Sequence, residues 1–180
     1  MTKVFGSLGD FAAHLLTVQA DIKAAEEVAV VQACKIVRRT AKGMIGHEQP
    51  TWQGLKPETI ARKRRGNTPL LETGELRASI EMSAPHREGS DVVGYVGSNN
   101  EKAVIHELGT SKIPARSFLG QAAMGKEREI HEMTGRIIHG ALVHGGPNYH
   151  AFRKMLGYLR RAGENFKEMI PDDDDDKDER

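Results

Sequence analysis

Between residues 7 and 45 the apolar positions recur at three- and four-residue intervals. Ile22, Ala25, Ala29, Ala33 and Ile36 line one helical face, and Val30 and Val37 widen it. The pattern predicts helix over 7–45, in two pieces, and its small side chains predict close packing against a sheet or another helix. "KGMIGHEQPTW" then interrupts the period with two glycines and a proline. In "LKPETIARKRRG", Pro57 suits the first turn of a short helix ending near Gly66.

"TPLLETGELRASI" reads as an apolar pin, a turn at Gly74 and the start of a strand. Two short strands are predicted at 77–84 and 91–98, joined by "PHREGS"; Gly94 and Gly97 mark a bulge or a tight exit. A short helix capped at Asn99 or Asn100 follows. After Pro114 a long helix is predicted over 117–141, with Leu119, Ala122, Ala123, Ile130, Met133, Ile137 and Ala141 on its buried face. "VHGGPN" breaks it. A last helix, 149–170, carries the stripe Phe152, Met155, Leu156, Leu159, Ala162, Phe166 and Met169, with His150, Arg153, Lys154, Arg160, Arg161 and Lys167 mostly elsewhere. The fold class is α+β: a small antiparallel sheet packed against long helices, with an added C-terminal amphipathic helix. The division is 1–146 for the α+β domain, 147–170 for the basic helix and 171–180 for an acidic tail.

Charge sharpens this division. The net charge is +1, yet "ARKRRG" (61–66) and "YLRRAG" (158–163) are basic and "PDDDDDKDER" (171–180) is acidic. Such a tail reads as a solvated, disordered end. "DDDDK" also resembles a protease-recognition element of expression vectors. No stretch reaches the roughly 18 apolar residues of a membrane span, and the N-terminus makes a poor secretory signal. Cys34, the single cysteine, excludes an internal disulfide and a cysteine-rich zinc site; its apolar neighbours predict a small buried hydrophobe in a reducing cytoplasm.

Candidate chemistry concentrates in "HELGTSKIPARSFLG" (106–120). His106-Glu107 invites comparison with HExxH zinc hydrolases, but Thr110 stands where the second histidine belongs; His131-Glu132 fails the same way at Gly135. His131, His139, His144 and His150 lack a ligand-like spacing. Gly120, Gly125 and Lys126 fit G-x-x-x-x-G-K, yet Glu127 replaces the hydroxyl that would hold Mg²⁺ and would repel phosphates. Ser117 has no nucleophile elbow around it and reads as a helix N-cap. The residues assemble no catalytic set, metal site or cofactor site. The run Arg62, Lys63, Arg64, Arg65 can neutralise phosphates, although no aromatic platform is interleaved with it.

The order "TWQGLKPETIARKRRGNTPLLETGELRASI", "VVGYVGSNNEKAVIHELGT", "IPARSFLG" resembles the virion morphogenesis, or tail-completion, family of tailed bacteriophages. The resemblance covers about residues 52–120. It departs where the family often has Tyr, near Lys102 and Ala103, and where it often has a second Pro, at Ser117. It implies a non-enzymatic virion protein at the head-proximal tail end or neck, present in the host cytoplasm during assembly. It further implies a ring, commonly hexameric, around the channel through which phage DNA passes, with the connector, tail terminator or tail tube as neighbours and no membrane.

On that reading 106–120 is a shaped loop and helix entry. Gly109 permits a turn, Pro114 fixes the backbone, and Phe118 with Leu119 anchors the helix on the sheet. Arg116 offers a fork that could reach a carboxylate across a subunit boundary. The predicted assembly residues are Arg62, Lys63, Arg64, Arg65, His106, Glu107, Arg116 and Phe118; the predicted structural turns are Gly74, Gly97, Gly109 and Pro114. The alternative is a nucleic-acid-binding protein using 62–65 and 153–161.

Overall fold

A computed structural model describes residues 4–144. The helix expected over 149–170 and the acidic tail lie outside these described residues.

The first helix, α1, spans Leu8–Met44 without interruption. From Asp10 to Lys42 the sequence has neither Gly nor Pro, so nothing divides it into the two expected pieces. Ser7 caps it, its hydroxyl accepting from the Asp10 amide at 3.1 Å. Phe5 folds back edge-on against Phe11, with ring centroids 5.3 Å apart. At 1.5 Å per residue α1 is about 55 Å long. Its buried residues begin only at Ala24 and continue through Ala25, Val28, Ala29, Val31, Cys34 and Ala41. Ile22, Ala33 and Ile36 of the expected stripe are half-buried. Burial extends around the helix because other elements pack on it from more than one side.

Three short helices or strands follow: α2 (Pro57–Arg62), α3 (Glu75–Ala78) and β1 (Ile80–Met82). The strand expected from Arg77 thus opens with a helical turn. Gly74, at φ 93°, sits in the left-handed region at the start of α3. Next come β2 (His86–Glu88), β3 (Asp91–Val93) and β4 (Val96–Ser98).

The four strands make one long hairpin in two ladders. β1 pairs antiparallel with β4, Ile80 opposite Ser98, and β2 with β3, His86 opposite Val93. Residues 83–85 face only Gly94 and Tyr95 between the ladders, so one strand carries an extra residue and the register shifts by one. Pro85 has no N–H for a ladder bond, and the Ser83 hydroxyl accepts instead from the Tyr95 amide at 2.8 Å. "PHREGS" is therefore mostly strand; the turn itself is Gly89-Ser90, with Gly89 at φ 61°. Gly97 is an ordinary strand residue opposite Glu81, not a turn.

At the break Gly94 lies directly on α1. A Cβ there would stand 2.7 Å from Val30 Cγ1 and 2.9 Å from Cys34 Sγ. Arg87 ties the same hairpin to α1 through the Lys23 carbonyl and Glu26.

The helix α4 (Glu101–Leu108) is capped by Asn100, whose side chain accepts from the Lys102 amide. The long helix expected over 117–141 is two, α5 (Leu119–Gly125) and α6 (Glu127–His144), separated at Lys126. Gly125 weakens the helix there. Ala122 is fully buried, Ala123 is exposed, and Ile130, Met133, Ile137 and Ala141 are half-buried. α6 packs along α1, and a core lies at the C-terminal end of α1. Ala41, Ile45, Trp52, Leu76, Ile80, Ala103, Phe118 and Ala122 enclose it.

Candidate functional site

Residues 106–120 form a joint between α4 and α5. α4 stops at Gly109, whose φ of 76° a side chain rarely adopts. A Cβ there would also sit 2.7 Å from the Ala115 amide nitrogen. Thr110 closes the turn, its hydroxyl accepting from Ile113 N at 3.0 Å, and the Arg116 amide donates back to the His106 carbonyl at 2.7 Å. Pro114 is half-buried within this turn.

Glu107 holds the start of α5. One carboxylate oxygen accepts from the Phe118 and Leu119 amides at 2.9 and 3.0 Å. The other accepts from the Ser117 hydroxyl at 2.6 Å and the Gly120 amide at 2.8 Å. Ser117 is therefore not the cap; Glu107, on the preceding helix, satisfies the amides that a helix start leaves without partners. Gly120 leaves the room, since a Cβ would lie 3.2 Å from the carboxylate. Burial raises the Glu107 pKa, but its four hydrogen bonds outweigh burial and the net direction is down.

Arg116 is buried, and Nε and Nη2 both donate to the Gln53 carbonyl, at 3.2 and 2.9 Å. Its fork is thus committed inside the chain and is not an exposed donor. Trp52, beside Gln53, donates from Nε1 to the Ser117 carbonyl at 3.0 Å. Phe118 is fully buried in the core. His106 is half-buried, with Nδ1 buried and without a hydrogen-bond partner. Burial and then the Arg116 and Lys102 charges lower its pKa, so the imidazole is neutral at pH 7.

In the basic run only Lys63 is ion-paired among the described residues. Lys63 Nζ donates to the Leu71 carbonyl and to Glu72, each at 2.8 Å. The Arg64 amide also reaches Glu72, Arg65 Nε bonds the Glu72 carbonyl, and Arg62 Nε bonds the Glu58 carbonyl. These contacts brace the 70–72 segment, where Leu70 is held at φ 62°. Arg62, Arg64 and Arg65 remain exposed.

Two surfaces stand out that the sequence reading did not single out. The first is apolar and in two parts. Val4, just before α1, and Leu8, Phe11, Leu15 and Leu16 in its N-terminal turns are exposed, Leu8 at 83 %. Val104, Ile105, Leu108 and Ile113 are exposed on α4 and the turn after it, Leu108 at 75 %. Ala103 of α4 and Ala41 of α1 belong to the same core. Leu16 and Ala41 are 25 residues apart on one helix, so roughly 37 Å of α1 separates the two parts.

The second surface is an open cleft of about 730 Å³ lined by Gln32, Lys35, Ile36, Arg38, Arg39, Lys42, Gly43 and Arg77. Positions 35, 38, 39 and 42 share a face of α1 by their spacing, and α3 adds Arg77. That helical spacing was readable in the sequence; the convergence of Arg77 on it was not.

Among the described residues no three His, Cys, Asp or Glu side chains are grouped to hold a metal ion. No helix there is long and apolar enough to cross a membrane. Lys126 of the G-x-x-x-x-G-K pattern pairs with Glu129 at 2.7 Å. Cys34 is buried, which raises its pKa.

The sequence model of the phage virion morphogenesis family matches residues 9–139. No curated protein and no solved structure matches the chain at a significant level.

Proposed function

Because the chain belongs to the phage virion morphogenesis family, with a virion structural or assembly role, we propose that it closes into a ring at the neck or head-proximal tail end and joins head to tail. The observation that supports this reading is the pair of separated apolar patches. Contiguous exposed apolar surface of this kind marks interaction sites. Two different patches far apart on one subunit suit a heterologous contact, in which one patch of each copy meets the other patch of the next and the rotation closes a ring. Six copies around a DNA channel, with the connector, tail terminator or tail tube as axial neighbours, is the arrangement the resemblance implies.

Native mass spectrometry of the full chain, alone and with neck or tail-tube components, tests it. A closed oligomer is expected in at least one sample. Leu8→Asp with Leu15→Asp, or Leu108→Asp alone, should each abolish it while the far-ultraviolet circular dichroism of the subunit is unchanged. Monomer throughout, or rings that survive both variants, would refute this reading.

A further inference from the structure

We infer that the cleft between α3 and the C-terminal half of α1 binds the phosphate backbone of duplex DNA. Among the described residues five cations line it, Lys35, Arg38, Arg39, Lys42 and Arg77, and no carboxylate does. Arg38, Arg39, Lys42 and Arg77 make no ion pair among the described residues, whereas Lys63 and Arg87 do. Lys42 donates at 3.4 Å to the Ala78 carbonyl, which fixes it across the floor. Burial, then Arg38, and also Arg77 lower the Lys42 pKa; Glu81 acts in the opposite direction and does not reverse it. Glu129 stands near Arg39 on the α6 side without pairing with it. Arg38, Arg39, Lys42 and Arg77 therefore bring to the cleft positive charge that no ion pair among the described residues offsets, and that an anion would relieve.

Its composition selects among anions. Three of the five cations are arginines, whose planar forks match phosphate oxygens two at a time. Among the described residues no aromatic side chain lines the cleft to give the stacking platform that single strands need. It offers no acceptor set for reading base edges beyond Gln32, so binding is to the backbone and independent of sequence. In the run at 62–65, which the sequence pointed to, only Lys63 is ion-paired among the described residues, and none of its four cations lines the cleft. The cleft belongs to one subunit, so this inference stands apart from ring closure.

Fluorescence anisotropy of a labelled 30-base-pair duplex with the full chain, from 50 to 200 mM KCl, tests it. If the four unpaired cations each meet a phosphate, affinity should fall about 150-fold over that range, from a slope of about 0.9 per phosphate. Arg38→Gln with Arg39→Gln should weaken binding and cut that fall to about 12-fold, with an unchanged melting temperature. Arg62→Gln with Arg64→Gln should leave the slope as it is. No duplex binding at 50 mM, or equal loss in both double variants, overturns the inference. So does tighter binding of the peptide PDDDDDKDER than of duplex, which would assign the cleft to acidic peptide. Native mass spectrometry of the same variants separates the two readings: a monomer that binds duplex through the cleft sinks only the ring, and a ring indifferent to duplex sinks only the cleft.

Discussion

Replacing Glu107 probes the joint most directly. Its carboxylate accepts four hydrogen bonds, three from backbone amides at the start of α5 and one from Ser117. A hydrogen bond to a charged acceptor contributes about 1.5–3 kcal/mol net, but Gly120 is exposed and water can replace its bond. Counting the Phe118 and Leu119 amides fully and the others little, Glu107→Ala should cost about 3–4 kcal/mol. That corresponds to a fall of roughly 10 °C in melting temperature for a chain of this size. Glu107→Gln keeps one accepting oxygen and turns an NH₂ toward the Gly120 amide or its neighbours, so about 2 kcal/mol is expected.

Urea unfolding read by circular dichroism measures both, with the midpoint moving and the slope constant. The pH dependence supplies an independent sign. The folded pKa of Glu107 lies below its ordinary value, so its charge contributes stability that is present above about pH 4.3 and lost as pH falls through the folded pKa. The gap between wild type and Glu107→Gln should therefore be flat from pH 7 to about 5.5 and shrink below about 4.3. A Gln variant within about 0.5 kcal/mol of wild type at pH 7, or a gap that widens in acid, would refute the capping role.

Arg116→Ala should destabilise the subunit itself by about 2–3 kcal/mol, because the Gln53 carbonyl loses both donors and a buried side chain is removed; thermal melting of dilute monomer checks it. Gly109→Ala should cost about 2–4 kcal/mol from its positive φ and the clash with Ala115, read as a shift in the urea midpoint. Gly94→Ala should cost about 1–3 kcal/mol by pushing the hairpin off Val30 and Cys34. Adding Val30→Ala should recover part of that loss, visible as a coupling of about 1 kcal/mol in a double-mutant cycle, and strict additivity would count against the contact.

The periodic part of the fold was readable, because a helical stripe is a local property of the sequence. The extent of α1, though not its continuity, and a cap at Asn99 or Asn100 follow from spacing and residue type alone. The division at Lys126 was harder to see. Gly125 was visible, but the apolar period runs through it, and only the packing of Ala122 into the core and α6 along α1 separates the two helices. The hairpin's ladder break has the same character: Pro85 and Gly94 were visible, while the shift of register depends on how closely Gly94 meets α1.

Side-chain roles were least legible where the partner is distant in sequence. Glu107 was noticed for its histidine neighbour and a resemblance to a zinc motif, but its partners lie 10 to 13 residues onward, beyond the turn that Gly109 permits. Arg116 was read as a free fork because nothing nearby in sequence offers an acceptor; Gln53 is 63 residues away. Charge follows the same rule. Consecutive cations at 62–65 look dense on paper, yet Glu72 returns to pair with Lys63 and to accept from the Arg64 amide. Lys35, Arg38, Arg39 and Lys42 look dilute, yet helical spacing places them side by side, and Arg77 arrives from another helix; among the described residues Arg38, Arg39, Lys42 and Arg77 make no ion pair. Density of charge along a chain is thus a weak guide to the field it makes; which cations the fold leaves without a carboxylate decides where an anion is drawn.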